Sequence, residues 1–340
     1  KINKYRVEFK KTFYNNIFIK KKIKKQRSEE EIVLNLKKII EKVVKNYCKN
    51  HEDIAFTFSG GIDSTILLFA SLKLKKKFKY YTKIADKIDK IANNSVRLLK
   101  KLGIQKFKRI KIYKKNYLSD LIDFIIYSGS PARWGTAPSM VPLYKQMYLD
   151  DIKICIGGDG ADELFYGYPN TEKLIKSFNN NEINFDDPIK ILKDFSLSGW
   201  IQTKDNNLKL YKESLKKKVK IFSSKNVFLK KDKLLFLSSL IQYIDFGNFL
   251  SKVVTPHSDC CSMKYSIELR SPYLDKSIVN EAMSFDVQKN TFKNSKYRSK
   301  YFLKKVLEKQ CIENNIDISE VLKDKEGTRN FAIQSAEKVN

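Results

Sequence analysis

Ala55-Phe56-Thr57-Phe58-Ser59-Gly60-Gly61-Ile62-Asp63-Ser64 is an apolar run that breaks at two glycines, and Thr65-Ile66-Leu67-Leu68-Phe69-Ala70 then resumes as a helical pattern. A short β-prone run, a glycine turn and a helical restart predict strand, tight loop and helix. Such a loop suits phosphate. Gly60 and Gly61 carry no side chain to keep a polyphosphate off the backbone. The first N–H groups of the following helix lack intrahelical partners and bear positive partial charge. Ser59 and Ser64 add hydroxyl donors. Asp63 would be repelled by phosphate without a cation between them, which points to Mg²⁺. No GK[ST] follows, so this is not a Walker A loop, and cleavage between the α- and β-phosphates is favoured over γ-phosphoryl transfer. Taken alone, the segment also reads as a glycine turn with an N-capping Ser or Asp.

Upstream, Ser28-Glu29-Glu30-Glu31 predicts an N-cap and acidic first turn for an amphipathic helix reaching about Asn46. Downstream, strands are predicted over 78–82, 107–113 and 152–156. They alternate with helices over 88–102, stopped by Gly103, and over 118–127 and 138–149. This alternation predicts an α/β fold with a doubly wound, mostly parallel sheet, whose ligands gather beyond the carboxyl ends of its strands. The fourth strand runs straight into Gly157-Gly158-Asp159-Gly160-Ala161-Asp162-Glu163-Leu164-Phe165-Tyr166-Gly167-Tyr168. Three glycines there offer a second backbone cradle, and Asp162 is expected to share a Mg²⁺ with Asp63. The spacing does not fit an EF-hand. Beyond residue 164 the pattern is helical, interrupted near 179–188 and 223–226. Residues 1–28 read as a basic lead-in, 29–335 as one functional domain, with an α/β core over 50–170 and a helical part over 171–335.

The 340 residues are 42% hydrophobic, enough for one or two domains, and no run of about 18 apolar residues suggests a membrane span. Five cysteines without CxxC spacing and only two histidines, His51 and His257, argue against a zinc site, a disulfide framework or a Ser-His-Asp triad. A reducing, cytoplasmic setting is expected. The net charge is +29, but its basic residues are 59 Lys and eight Arg. Lysine spread along the whole chain fits a compositional bias better than a nucleic-acid surface, which favours arginine for reading bases and clamping phosphates.

SGGIDS resembles the PP-loop of ATP pyrophosphatases. With GGDGADELFYGY, the passage 259–275 (DCCSMKYSIELRSPYLD), KYFLK at 300–304 and KDKEG at 323–327, in that order, the chain resembles the synthetase domain of asparagine synthetases and related β-lactam synthetases. The resemblance implies a sheet of the PP-loop ATP pyrophosphatase (adenine nucleotide α-hydrolase-like) type with a helical C-terminal extension. It implies an ATP-dependent, amide-forming ligase with ATP and Mg²⁺ as cofactors. The ligase would activate a carboxylate as an acyl-adenylate, release pyrophosphate and pass the acyl group to ammonia or an amine. Ser59, Gly60, Gly61, Asp63, Ser64, Gly157, Gly158 and Gly160 would hold ATP and pyrophosphate, and Asp63 and Asp162 the metal. Lys325, Asp159 and Glu268 are the implied catalytic residues. Pro131, Thr136 and Asp159 would face the acyl substrate, and Phe58 and 80–82 the adenine. Most of the 259–275 signature reads as scaffolding; alone, Glu268 and Arg270 would be an ion pair and Asp275 a helix N-cap.

The chain departs from the family pattern at Asp159, where asparagine synthetases carry Glu, and in the WGTAPS stretch at 134–139. The acyl substrate is therefore open between aspartate and another acid, such as a uronic acid sugar or a natural-product precursor. A lead-in of 28 residues cannot hold a glutaminase domain, so ammonia or another amine is expected to be used directly, supplied by a separate partner, or supplied by a domain no longer attached. No membrane partner is expected; self-association is left open. The competing reading from another functional class is a PP-loop enzyme that modifies tRNA. The basic charge suits it; the missing thiol pair and the later motifs speak against it.

Overall fold

A computed structural model of the chain describes residues 27–84, 90–113, 116–130, 137–185, 187–197, 207–285 and 299–321. The first helix, α1 (Glu29–Tyr47), starts where the sequence predicts. Ser28 Oγ accepts from Glu31 N, and the Glu31 carboxylate accepts in return from Ser28 N, so two otherwise orphan donors are satisfied reciprocally. Its Val33, Leu36, Ile40, Val43 and Val44 fall on one stripe and are buried.

Next come β1 (Ile54–Thr57), α2 (Ile62–Leu72), β2 (Lys79–Ile84), α3 (Lys90–Lys101), β3 (Phe107–Lys111), α4 (Tyr117–Ser128), α5 (Val141–Leu149) and β4 (Ile154–Ile156). Gly103 and Gly129 stand just past the ends of α3 and α4 with left-handed backbones, as expected of helix stops. The later part holds α6 (Ala161–Leu164), α7 (Pro169–Asn179), α8 (Pro188–Phe195), α9 (Asn207–Lys225), α10 (Lys233–Ile244), a π-helix (Asp245–Val254), α11 (Thr255–Met263), β5 (Glu268–Arg270), α12 (Lys276–Ala282) and α13 (Tyr301–Glu313).

The five strands form one parallel sheet in the order β3-β2-β1-β4-β5. The chain winds from β1 out to β3, returns past β1 to β4, and finishes on β5. The reversal of winding therefore falls between β1 and β4, the crevice where such sheets bind ligands. Strand β5 escapes sequence reading because three residues, Glu-Leu-Arg, show no alternation; it is fixed by pairing, with Ile154 opposite Glu268 and Ile156 opposite Arg270.

Alternation along the strands sorts the core into two layers. Phe56, Phe58 and Tyr80 pack on one face with α1, α2, α12 and α13. Ala55, Tyr81 and Cys155 face Phe124 of α4, Tyr144 of α5 and Cys261 of α11 on the other. A separate cluster, including Leu174, Leu192, Phe222 and Leu240, holds α7 to α10 together. The stretch Lys233–Met263 is long and apolar enough to cross a membrane, contrary to the expectation that the chain holds no such run. However, 72% of its most apolar window is buried in the fold, so its apolarity is that of a core helix.

Removing the Ser28 hydroxyl should cost about 1 kcal/mol, the usual worth of an N-cap. In urea unfolding, Ser28→Ala should shift the transition to lower denaturant without changing its slope, and Ser28→Asp should restore it.

Candidate active site

The β1–α2 loop is built as an open donor cradle. Gly60 has φ 76°, a backbone that favours glycine. Gly61 caps α2 without any side-chain hydrogen bond, so the N–H groups of the first helical turn are not taken by a cap. The hydroxyls are ordered locally: Ser59 Oγ lies 3.1 Å from Ser64 Oγ, while Ser64 Oγ and Thr65 Oγ1 donate to Gly61 O at 3.1 and 2.8 Å. Thr57 Oγ1 donates to Ile156 O at 3.3 Å and ties the carboxyl ends of β1 and β4 together. Across the crevice, Gly157 N donates to Arg270 O at 3.0 Å, continuing the ladder between β4 and β5. Gly160 has φ 92°, a backbone that strains any other residue, and a Cβ there would displace Leu274, whose Cδ2 lies 2.3 Å away. Gly158 passes close to Asp63: its Cβ would meet Asp63 Cβ at 3.5 Å.

The two expected metal-facing carboxylates are brought together, and a third residue joins them. Lys300 Nζ lies 2.6 Å from Asp63 Oδ2 and 2.7 Å from Asp162 Oδ1, with the lysine side chain only 2% exposed. Burial pulls the Lys300 ammonium down, but the charges of Asp162 and Asp63 outweigh it and hold the group charged, above its ordinary range. The lysine stem runs against Gly167, where a Cβ would lie 2.3 Å from Lys300 Cε and 2.0 Å from Asp162 Oδ1. Lys300 is also the N-cap of α13 with φ 51°, a left-handed backbone costing roughly 1–2 kcal/mol in a non-glycine residue. Asp63 is further fixed through its backbone: Tyr273 Oη donates to Asp63 O at 2.9 Å.

Sequence reading places Lys300 in a family motif, KYFLK, but gives it no role, because the motif does not say which groups the lysine meets. A usable signal did exist. Two carboxylates converging at a glycine loop require a countercharge, and a cation at a helix N-terminus opposes the helix dipole, which marks a position kept for another purpose.

Asp63 Oδ1 is buried and has no hydrogen-bond partner. An orphaned carboxylate oxygen at the mouth of a glycine loop fits Mg²⁺, which takes one or two protein carboxylates and completes its octahedron with phosphate oxygens and water. Among the described residues, no group of three or more His, Cys, Asp or Glu side chains could hold a metal unaided. Asp63 and Asp162 would thus hold the ion together with a polyphosphate.

Asp159 follows β4 and interacts with Ser258; burial, and then the charge of Asp162, push its carboxyl above the usual range. It opens on a cavity of about 750 Å³ also lined by Asn46, Thr255, Asp259, Glu268 and Arg270. Glu268 sits at the amino end of β5, level with Ile154, and Arg270 holds it at 2.9 and 3.2 Å. Arg270 also donates to Tyr47 O, closing the end of α1. The structure thus gives Glu268 and Arg270 an ion pair and does not bring Glu268 to Asp63 and Asp162. Asp275 caps α12 through Ser277 N at 2.8 Å, as the scaffolding reading expects. Phe58 and Tyr80 are 1% and 3% exposed, and Tyr80 Oη is engaged with Ser71 Oγ. Their rings belong to the core, which corrects their expected place beside adenine. Pro131, Thr136 and Lys325 lie outside the described residues.

Glu163, next to Asp162, is buried and accepts from Tyr168 Oη at 2.9 Å. Burial, and secondarily the Asp162 charge, push its carboxyl up to about 8. A carboxyl whose affinity for protons rises on folding favours the folded state fully below its unfolded value, and that contribution is lost as pH climbs through the folded value. Stability should therefore fall between about pH 4.5 and 8 on account of this group. Glu163→Gln should match the wild type at pH 5 and melt higher at pH 8, as read by thermal unfolding across that range.

The family model described as asparagine synthase matches residues 35–316, spanning both glycine loops, both carboxylates and Lys300. A relative, asparagine synthetase [glutamine-hydrolyzing] 1 of Bacillus subtilis (strain 168), is 23% identical over 312 residues, covering 83% of this chain and 48% of the relative. The chain therefore spans about half the length of that curated relative. With the family model covering most of its length, from α1 through α13, the chain belongs to the asparagine synthase family.

Proposed function

We propose that this protein is an ATP-dependent amide-forming ligase that activates a carboxylic acid as its acyl-adenylate. The observation that carries the reading is the convergence of Asp63, Asp162 and Lys300 between two glycine loops, at the point where the sheet reverses its winding. The β1–α2 loop, through Ser59, Gly60, Gly61 and Ser64, would cradle the β- and γ-phosphates with backbone N–H groups and hydroxyls. Gly157, Gly158 and Gly160 would close the other side. Asp63 and Asp162 would hold Mg²⁺, which when bound would supply positive charge against the polyphosphate.

In the first step a substrate carboxylate oxygen attacks the α-phosphorus, the bond to the β-phosphate breaks, and pyrophosphate leaves with the electron pair. Lys300 is placed to stay with the pyrophosphate. Lys325, assigned from the family motif at 323–327, would stabilise charge building on the α-phosphate. In the second step an amine attacks the acyl carbonyl, the carbon–oxygen bond to AMP breaks, and the amine's surplus proton passes to a base. Asp159, raised in proton affinity and facing the cavity, is the candidate for orienting that amine. Pro131 and Thr136 are proposed to face the acid, and ammonia or a small amine, free or delivered by a glutamine-hydrolysing partner, is the proposed nucleophile. The shorter reach of Asp159 relative to Glu favours an acid or amine different from those of asparagine synthesis, with aspartate as the reference acid to test.

With ATP, Mg²⁺, hydroxylamine and a panel of carboxylic acids, the protein should release pyrophosphate and form a hydroxamate with particular acids only. Asp63→Asn and Lys325→Ala should each lower the rate at least about 100-fold, in the range typical of losing one electrostatic contact to the transition state. Release of ADP instead of pyrophosphate, or full turnover in both variants, would overturn the proposal. Pyrophosphate release that depends on added RNA and not on a free acid would favour tRNA modification.

A further inference from the structure

We infer that Lys300 is a positioning residue that closes the Asp63–Asp162 pair to a free divalent cation, so that the metal enters only in company with a polyphosphate. The inference rests on the reading of this crevice as an ATP site and adds an order of binding to it.

The geometry is restrictive. The ammonium lies 2.6 Å from Asp63 Oδ2 and 2.7 Å from Asp162 Oδ1. A Mg²⁺ shared by these oxygens would need to sit about 2.0–2.1 Å from each, and both are already engaged by the ammonium. The lysine cannot simply lean aside, because its stem packs where a Gly167 side chain would be and the whole residue is 2% exposed. Its backbone is set in the left-handed region at the start of α13, and α13 is itself pinned to α2 by Gln310 Nε2, which donates to Ile66 O at 3.3 Å. A bare cation arriving at the pair would leave a buried ammonium next to a second positive charge and deprived of its carboxylates, a costly arrangement at low dielectric.

A polyphosphate changes the balance. Its oxygens can accept the ammonium in place of the carboxylates, freeing Asp63 Oδ2 and Asp162 Oδ1, while the unpartnered Asp63 Oδ1 is already available. Lysine and metal would then both face phosphate instead of competing for the same two oxygens. Binding of metal and polyphosphate should accordingly be strongly and reciprocally coupled.

The test uses the whole chain and Mn²⁺ as probe, followed by electron paramagnetic resonance of the free ion, with and without pyrophosphate or ATP. The quantity read is the Asp63-dependent binding, obtained as the difference from Asp63→Asn. In the wild type this component should be at least about tenfold weaker without phosphate than with it. In Lys300→Met it should appear without phosphate, and the coupling should largely vanish. Lys300→Gln, which keeps a neutral donor between the carboxylates, provides the same reading if the Met variant fails to fold. Asp63-dependent Mn²⁺ binding to the phosphate-free wild type at the affinity seen with pyrophosphate would overturn the inference, as would neutral variants as closed to Mn²⁺ as the wild type. Failure of pyrophosphate and ATP alike to bring Mn²⁺ to the wild type, with binding restored to the phosphate-free neutral variants, would instead overturn the nucleotide reading while leaving the lysine's blocking role in place.

Discussion

A single ammonium between two carboxylates organises the crevice. Asp63 belongs to the loop after β1, Asp162 to the loop after β4, and Lys300 to the start of α13. Without the lysine, the two half-buried acids would face each other uncompensated, which is unfavourable. With it, three segments distant in sequence are drawn to one point. The arrangement is therefore a structural clasp and a chemical site at once, and neighbouring details follow from it. Gly167 is a glycine because the lysine stem and Asp162 leave no room for a Cβ. The left-handed backbone at Lys300 is tolerated because the ion pairs and the packing of Tyr301 and Phe302 behind it over-determine its place.

The sheet supplies the frame in which that clasp can form. Placing β1 at the centre, with β2 and β3 on one side and β4 and β5 on the other, makes the loops after β1 and β4 neighbours. The 259–275 passage braces this crevice. Arg270 closes the end of α1, Tyr273 holds the Asp63 backbone, Leu274 packs against Gly160, and Asp275 starts α12. A sequence signature can thus be specific to a family through the residues that brace a site. The π-helix contributes in the same way: Leu250 lies 3.8 Å from where a Gly160 side chain would be, so a wide helical turn abuts the second loop.

Much of this was legible in the residues. The capping box at Ser28 and Glu31, the glycine stops at 103 and 129, and the strand–loop–helix at 54–72 are local devices, decided by side chains a few positions apart. The meeting of Asp63 and Asp162 could be anticipated because parallel α/β winding collects strand ends on one edge. What escaped is non-local. Strand β5 exists only through its partner β4. Lys300 belongs to the KYFLK motif, but its role emerges only when the fold presents it to two acids. Phe58 and Tyr80, read as neighbours of a base because they stand at strand ends, turn inward because alternation points them at α2 and its layer.

The clasp links residues 237 positions apart, which bears on how the protein is made. As the chain leaves the ribosome, the whole parallel core through β4 can be laid down while the cation that neutralises its two converging acids is still unsynthesised. The nascent core carries two converging, uncompensated acids at its ligand edge until α13 arrives. The two loops of the crevice are thereby joined only once α13 has been made, and a product cut short before α13 keeps β1 to β5 yet lacks the charge that joins the loops.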